Sequence, residues 1–186
     1  MAETTMDQGN GRRPNAWRLA VWGGAAGLLL LPLVAMQLHA PGVDWTGSDF
    51  LVMGAMLATA CGLWELGRRL SRNRAYRAAV ALAVVAGFLM TWMNLAVGII
   101  GNENNPLNLL FFAVLAIGML GALLARFRPL GMAGAMLAMA GAQAMVAVAT
   151  LIVGEMTFVV SGFFTAVWLA SAWLFARAAR QQGGAR

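Results

Sequence analysis

Long apolar stretches separated by short polar connections run through the whole chain, without the strict alternation that a half-buried strand requires. Six stretches reach the roughly 20 residues that a helix needs to cross a hydrocarbon core of about 30 Å. They cover residues 16–36, 49–67, 78–100, 107–125, 130–153 and 157–176. A helix satisfies its own backbone groups inside lipid, so the pattern predicts an all-α, polytopic membrane protein of six transmembrane helices. A transmembrane barrel would need segments of about ten residues with alternating polarity, and none is present. The predicted organisation is an N-terminal tail over 1–15, one six-helix domain over 16–176 and a C-terminal tail over 177–186.

Composition agrees with that pattern. Of 186 residues, 61% are hydrophobic and 11% charged, against roughly 25% charged in a soluble domain. A single cysteine, Cys61, excludes an internal disulfide scaffold. The first apolar stretch follows Arg12, Arg13 and Arg18, as a signal peptide would. It exceeds the usual h-region of about 7–15 residues, and Leu38 fits poorly before a cleavage site at Ala40, so a retained helix is expected.

The charge distribution orients the helices. All 13 basic residues are arginines, and they fall in the N-terminal segment, the second and fourth connections and the C-terminal tail. With six crossings these segments share one face, which the positive-inside rule places in the cytoplasm. The other connections carry Asp44, Asp49, Glu103 and Glu155 and no arginine. Three hairpins with both termini cytoplasmic are therefore predicted. The net charge of +6 is an orientation signal, and nucleic acid is not an expected partner. The expected partner is the bilayer, with anionic lipid headgroups drawn to Arg68, Arg69, Arg72, Arg74 and Arg77. Assembly into a homo-oligomer or a larger membrane complex is compatible with this reading.

Each polar feature allows a structural and a functional reading. Asp49, Glu103 and Glu155 lie near predicted helix N-termini, where negative charge complements the helix dipole. Thr46 and Asp49 have capping-box spacing, and Asn105-Pro106 suits the start of helix four. The same carboxylates could instead form an outward-facing site from Asp44, Asp49, Glu103, Asn104 and Glu155, converging within about one helix diameter, ~10 Å. The string Gly101-Asn102-Glu103-Asn104-Asn105-Pro106 has more amides than a turn needs and could hold a cation or a polar headgroup. Turn formation uses the same residue types.

Within the spans the sequence places the amides Asn94 and Gln143, read either as ties between helices or as polar stations. Glu65 precedes Arg68 and Arg69 at ion-pair spacing. No ionisable Asp, Glu, Lys, Arg or His lies deep in a span, which argues against proton-coupled pumping. Met132, Met136, Met139 and Gln143 share one face of helix five, and its opposite face carries Gly134, Ala138 and Gly141. Thioethers are soft ligands that suit copper, and Met equally fills irregular cores. The small residues, like Gly118 and Gly121 of helix four, suit close helix contact.

No metalloprotease, nucleophile-elbow, phosphate-loop or CxxC motif occurs, and the sequence requires no cofactor. His39 alone cannot supply bis-histidine haem ligation. From Asn94 to Pro106 the chain resembles uncharacterised small multi-spanning inner-membrane proteins of Proteobacteria, which often carry a conspicuous polar outer turn. That resemblance implies a bacterial plasma membrane and transfers no activity.

Three functional readings follow. The first is a non-enzymatic membrane protein, an accessory subunit or small-solute passage with an acidic outer surface. The second is a protein binding copper or a redox cofactor through the methionine face. The third is a lipid-modifying membrane enzyme acting through Glu65, Asn94 or Gln143.

Overall fold

The structure is a computed structural model that describes residues 16–152, 154 and 157–183. The predicted tail over 1–15, Glu155 and residues 184–186 lie outside the described residues. The described chain is all-helical: α1 (Ala16–Gln37), α2 (Gly47–Leu70), α3 (Arg74–Ala96), a short 3₁₀ turn (Pro106–Asn108), α4 (Leu109–Leu124), α5 (Pro129–Ile152) and α6 (Phe158–Gly183). Six helices, with the 3₁₀ turn counted into the fourth, are long and apolar enough to cross a membrane. That is the framework of a multi-pass membrane protein.

Helix ends differ from the apolar runs where polar chemistry sets them. α3 begins at Arg74, four residues before its apolar run, because Asn73 caps it. The Asn73 side-chain oxygen accepts from the Tyr76 backbone N–H at 3.1 Å, satisfying one of the otherwise free N-terminal donors. α3 stops at Ala96, and residues 97–100, apolar by sequence, enter the following loop. α6 continues to Gly183, past the apolar end at Ala176, through alanine, arginine and glutamine. Such residues, glycine apart, cost little in a helix, so the charged extension stays helical.

Two compact units divide the chain, residues 1–61 and 62–186. In the first unit α2 opens on a capping arrangement. The Thr46 backbone N–H and hydroxyl both donate to Asp49 Oδ2, each at 2.7 Å. Asp49 thus performs the structural role its spacing suggested.

The second unit is built on α3, α4, α5 and α6. α5 packs against α4 and α6, and α3 packs against α6 and, over a smaller area, α4. Its interior holds Tyr76, Met90, Phe111, Phe164, Trp168 and Phe175, none more than 1% exposed. On α5 the buried face includes Met132, Met136, Met139, Gln143, Val146 and Thr150, as the helical spacing predicts. α4 meets that face through its own glycines. A Cβ on Gly118 would collide with Met139 Sδ, and one on Gly121 would lie 2.7 Å from Ala135 Cβ. Two glycines of α5 itself, Gly134 and Gly141, do not serve this contact: nothing lies within 4 Å of a Cβ position on either. Between membrane-spanning helices the gain comes from dense packing, and long methionine side chains seated against glycines add dispersion contact.

The arginine-rich end of the second unit is held by side-chain to backbone bonds. Arg77 donates from Nε to the Ser71 carbonyl (2.8 Å) and from Nη2 to the Arg68 carbonyl (3.2 Å), serving the free carbonyls at the α2 C-terminus. Tyr76 donates its hydroxyl to the Phe127 carbonyl at 2.9 Å, and its ring meets Phe175 edge-on at 5.1 Å. Asn73 Nδ2 donates to Gln181 Oε1 at 2.9 Å, tying the start of α3 to the end of α6. Glu65 pairs with Arg69 one turn along α2. Part of the basic cluster is therefore engaged in structure.

Candidate functional site

The loop between α3 and α4 contains a dense polar network centred on Asn108. This buried side chain sits at the end of the 3₁₀ turn. Its Oδ1 accepts from the Ile99 and Ile100 backbone N–H groups at 3.0 and 2.9 Å. Its Nδ2 donates to the Ile100 carbonyl at 3.3 Å and the Asn102 carbonyl at 2.7 Å. One amide thereby serves backbone groups that no helix can satisfy.

Neighbouring residues extend the network. Asn94 Nδ2, near the end of α3, donates to the Asn108 backbone carbonyl at 2.9 Å. Asn105 caps the 3₁₀ turn by accepting from the Leu107 N–H at 3.0 Å, with Pro106 following as the first residue of that turn. Asn102 accepts from the Asn104 N–H at 3.0 Å, and Asn104 Nδ2 donates to Glu103 Oε1 at 3.2 Å. Gly98, at φ +70°, reverses the chain where a Cβ would overlap the backbone of Asn102.

A recess of about 430 Å³ opens beside this loop. Asn94, Glu103, Asn104, Asn105 and Asn108 contribute its polar lining, and Leu95, Leu109 and Phe112 contribute an apolar wall. Glu103 and Asn104 are exposed, whereas Asn94 is 3% exposed. Asn94 Oδ1 is buried without a hydrogen-bond partner among the described residues. The recess therefore offers an exposed carboxylate, Glu103, beside the exposed amide of Asn104, chemistry that suits a cation or a hydrogen-bond-donating headgroup.

Of the sequence-derived candidates, Glu103, Asn104 and Asn94 meet at this recess. Asp44 is exposed in the connection preceding α2, and Asp49 caps α2. Gln143 lies in the core, 0% exposed, and neither of its amide atoms has a partner among the described residues. Met132, Met136 and Met139 lie in the hydrophobic core cluster. Among the described residues no group of three or more His, Cys, Asp and Glu side chains gathers that could hold a metal ion. Asn108, the centre of the loop, was missed by sequence reasoning. Its signal was an asparagine two residues after the proline of Asn105-Pro106, inside what reads as the first turn of a helix.

Compared with known proteins, the chain matches no family model, no curated protein and no solved structure.

Proposed function

We propose that this is a non-enzymatic multi-pass protein of the bacterial inner membrane. Its termini face the cytoplasm, its six helices form three hairpins, and the α3–α4 loop faces outward as a recognition surface. The recess carries this reading: an acidic and amide-bearing rim on a loop whose backbone is already organised by Asn108. Preorganisation of that kind lowers the ordering cost of binding. The interior of the second unit is filled by Trp168, Phe164, Phe175, Phe111 and Met90, which favours an accessory, ligand-sensing role for that unit over a through-going path. The arginine distribution supports the orientation, with Glu103 on the arginine-free side.

The ligand class is a small cation or a cationic headgroup. In lipid nanodiscs, ethylammonium at millimolar concentration is expected to raise the melting temperature, and acetate is not. Glu103→Gln should remove the ammonium response and leave the ligand-free melting temperature nearly unchanged, because exposed substitutions typically shift stability by no more than about 0.5 kcal/mol. Equal responses to ammonium and acetate, or an ammonium response retained by Glu103→Gln, would contradict this function.

A further inference from the structure

A second set of buried polar groups lies away from the loop, on the packed helices α5 and α6. Gln143 Nε2 and Oε1, Ser161 Oγ and Trp168 Nε1 are all buried without hydrogen-bond partners among the described residues. Their residues are 0%, 0% and 1% exposed. An isolated amide or hydroxyl in an apolar interior costs on the order of 1–3 kcal/mol when unpaired, so four such atoms in one seam require an explanation.

Helical register brings them together. Near the top of the seam the Thr150 and Thr157 hydroxyls hydrogen-bond at 2.6 Å, pairing one position of α5 with the start of α6. Two turns along α5 from Thr150 is Gln143, and two turns along α6 from Thr157 is Phe164. Ser161 and Trp168 flank Phe164 by about one turn each, roughly 5–6 Å along the axis. Both belong to the buried face of α6. Gln143 is thus placed between a hydroxyl on one side and an indole N–H on the other.

From this arrangement we infer a buried binding site for a small neutral molecule that both accepts and donates hydrogen bonds, water being the smallest of that class. Trp168 and Gln143 Nε2 offer donors to its lone pairs. Gln143 Oε1 accepts from it, and Ser161 does either. Charged ligands do not fit, because no Asp, Glu, Lys, Arg or His among the described residues is buried to balance them. Phe164, Met139 and Val146, all buried, keep the surroundings apolar. This site is separate from the outer recess and stands without it.

Water itself is the probe. The full chain in nanodiscs would be labelled by radiolytic hydroxyl radicals in ¹⁸O water and read by mass spectrometry. Bound water makes a buried side chain reactive, so Trp168 should label on the order of fivefold faster than equally buried Tyr76 after correction for intrinsic reactivity. Gln143→Leu and Ser161→Ala should each cut Trp168 labelling by about threefold, the loss of one or two of the 2–4 hydrogen bonds that hold a buried water. Ser161→Ala removes a single oxygen and keeps the test open should Gln143→Leu fail to fold. Gln143→Leu should also lower the melting temperature. Wild-type labelling of Trp168 no faster than that of Tyr76, or a melting temperature raised by Gln143→Leu, would mark the seam as dry and overturn the site.

Discussion

Replacing Asn108 by alanine is expected to destabilise the second unit by about 2–5 kcal/mol, among the largest effects of any single polar substitution in the chain. The side chain satisfies the N–H groups of Ile99 and Ile100 and the carbonyls of Ile100 and Asn102. Asn102 is exposed, so water can replace the bond to its carbonyl. Ile100 is 0% exposed, and its N–H and C=O would be stranded. Asn108→Asp keeps an acceptor for the two N–H groups but sets a carboxylate against two carbonyl oxygens, so it should not rescue. Asn104→Ala, on an exposed residue of the same loop, should shift stability by no more than about 0.5 kcal/mol. Thermal or denaturant unfolding of the three variants in one detergent checks the order. Equal stability of Asn108→Ala and Asn104→Ala would remove Asn108 from the centre of the loop.

A comparably large loss is expected from Gly98→Ala. The φ of +70° at this position is a left-handed conformation that costs an L-residue roughly 1–2 kcal/mol. Space adds to the cost, because a Cβ there would lie 2.5 Å from Glu103 N and closer still to the Asn102 carbonyl group. These are backbone atoms in the recess-bearing loop and cannot yield as the end of a flexible side chain would. The substitution should therefore combine a fall in melting temperature with loss of the ammonium response. Gly134→Ala, with open space around its Cβ position and an ordinary helical backbone, is the matched control and should be neutral or slightly stabilising. A Gly98→Ala protein with unchanged melting temperature and an unchanged ammonium response would show that loop geometry does not shape the recess.

Helix number and location were legible because crossing a bilayer demands length and apolarity, and both are local properties of the chain. The buried face of α5 was legible for a related reason. Met132, Met136, Met139 and Gln143 recur at helical spacing, and all four are buried. Less visible was which small residues would make contact. Gly118 and Gly121 of α4 meet α5, whereas the equally promising Gly134 and Gly141 of α5 have no neighbour within 4 Å of a Cβ position. Small-residue spacing permits close approach but does not choose a partner; tertiary packing does.

The loop was only half legible. Glu103 and Asn104 stood out as polar, and Asn105-Pro106 announced a helix start. Asn108 looked like one more residue of that helix. Its role depends on residues 97–100 leaving the helical path after Ala96, and the apolar Val97, Ile99 and Ile100 read as a continuation of the span. Gly98 held the missing clue, since a glycine at the end of an apolar helix commonly marks a left-handed stop. Likewise, the spacing of Gln143 revealed its face but not its lack of partners, which follows from what α6 sets opposite it.

Outward exposure of the Glu103–Asn104 turn is the claim on which the proposed function stands, and cysteine labelling tests it most directly. In a Cys61→Ala background, Asn104→Cys and Arg72→Cys place single thiols in exposed positions on the arginine-free and arginine-rich connections. A membrane-impermeant maleimide applied to spheroplasts with intact inner membranes should modify Cys at position 104 and leave position 72 unmodified until the membrane is opened. Labelling of position 72 with protection of position 104 would invert the topology and contradict an outward-facing recognition loop.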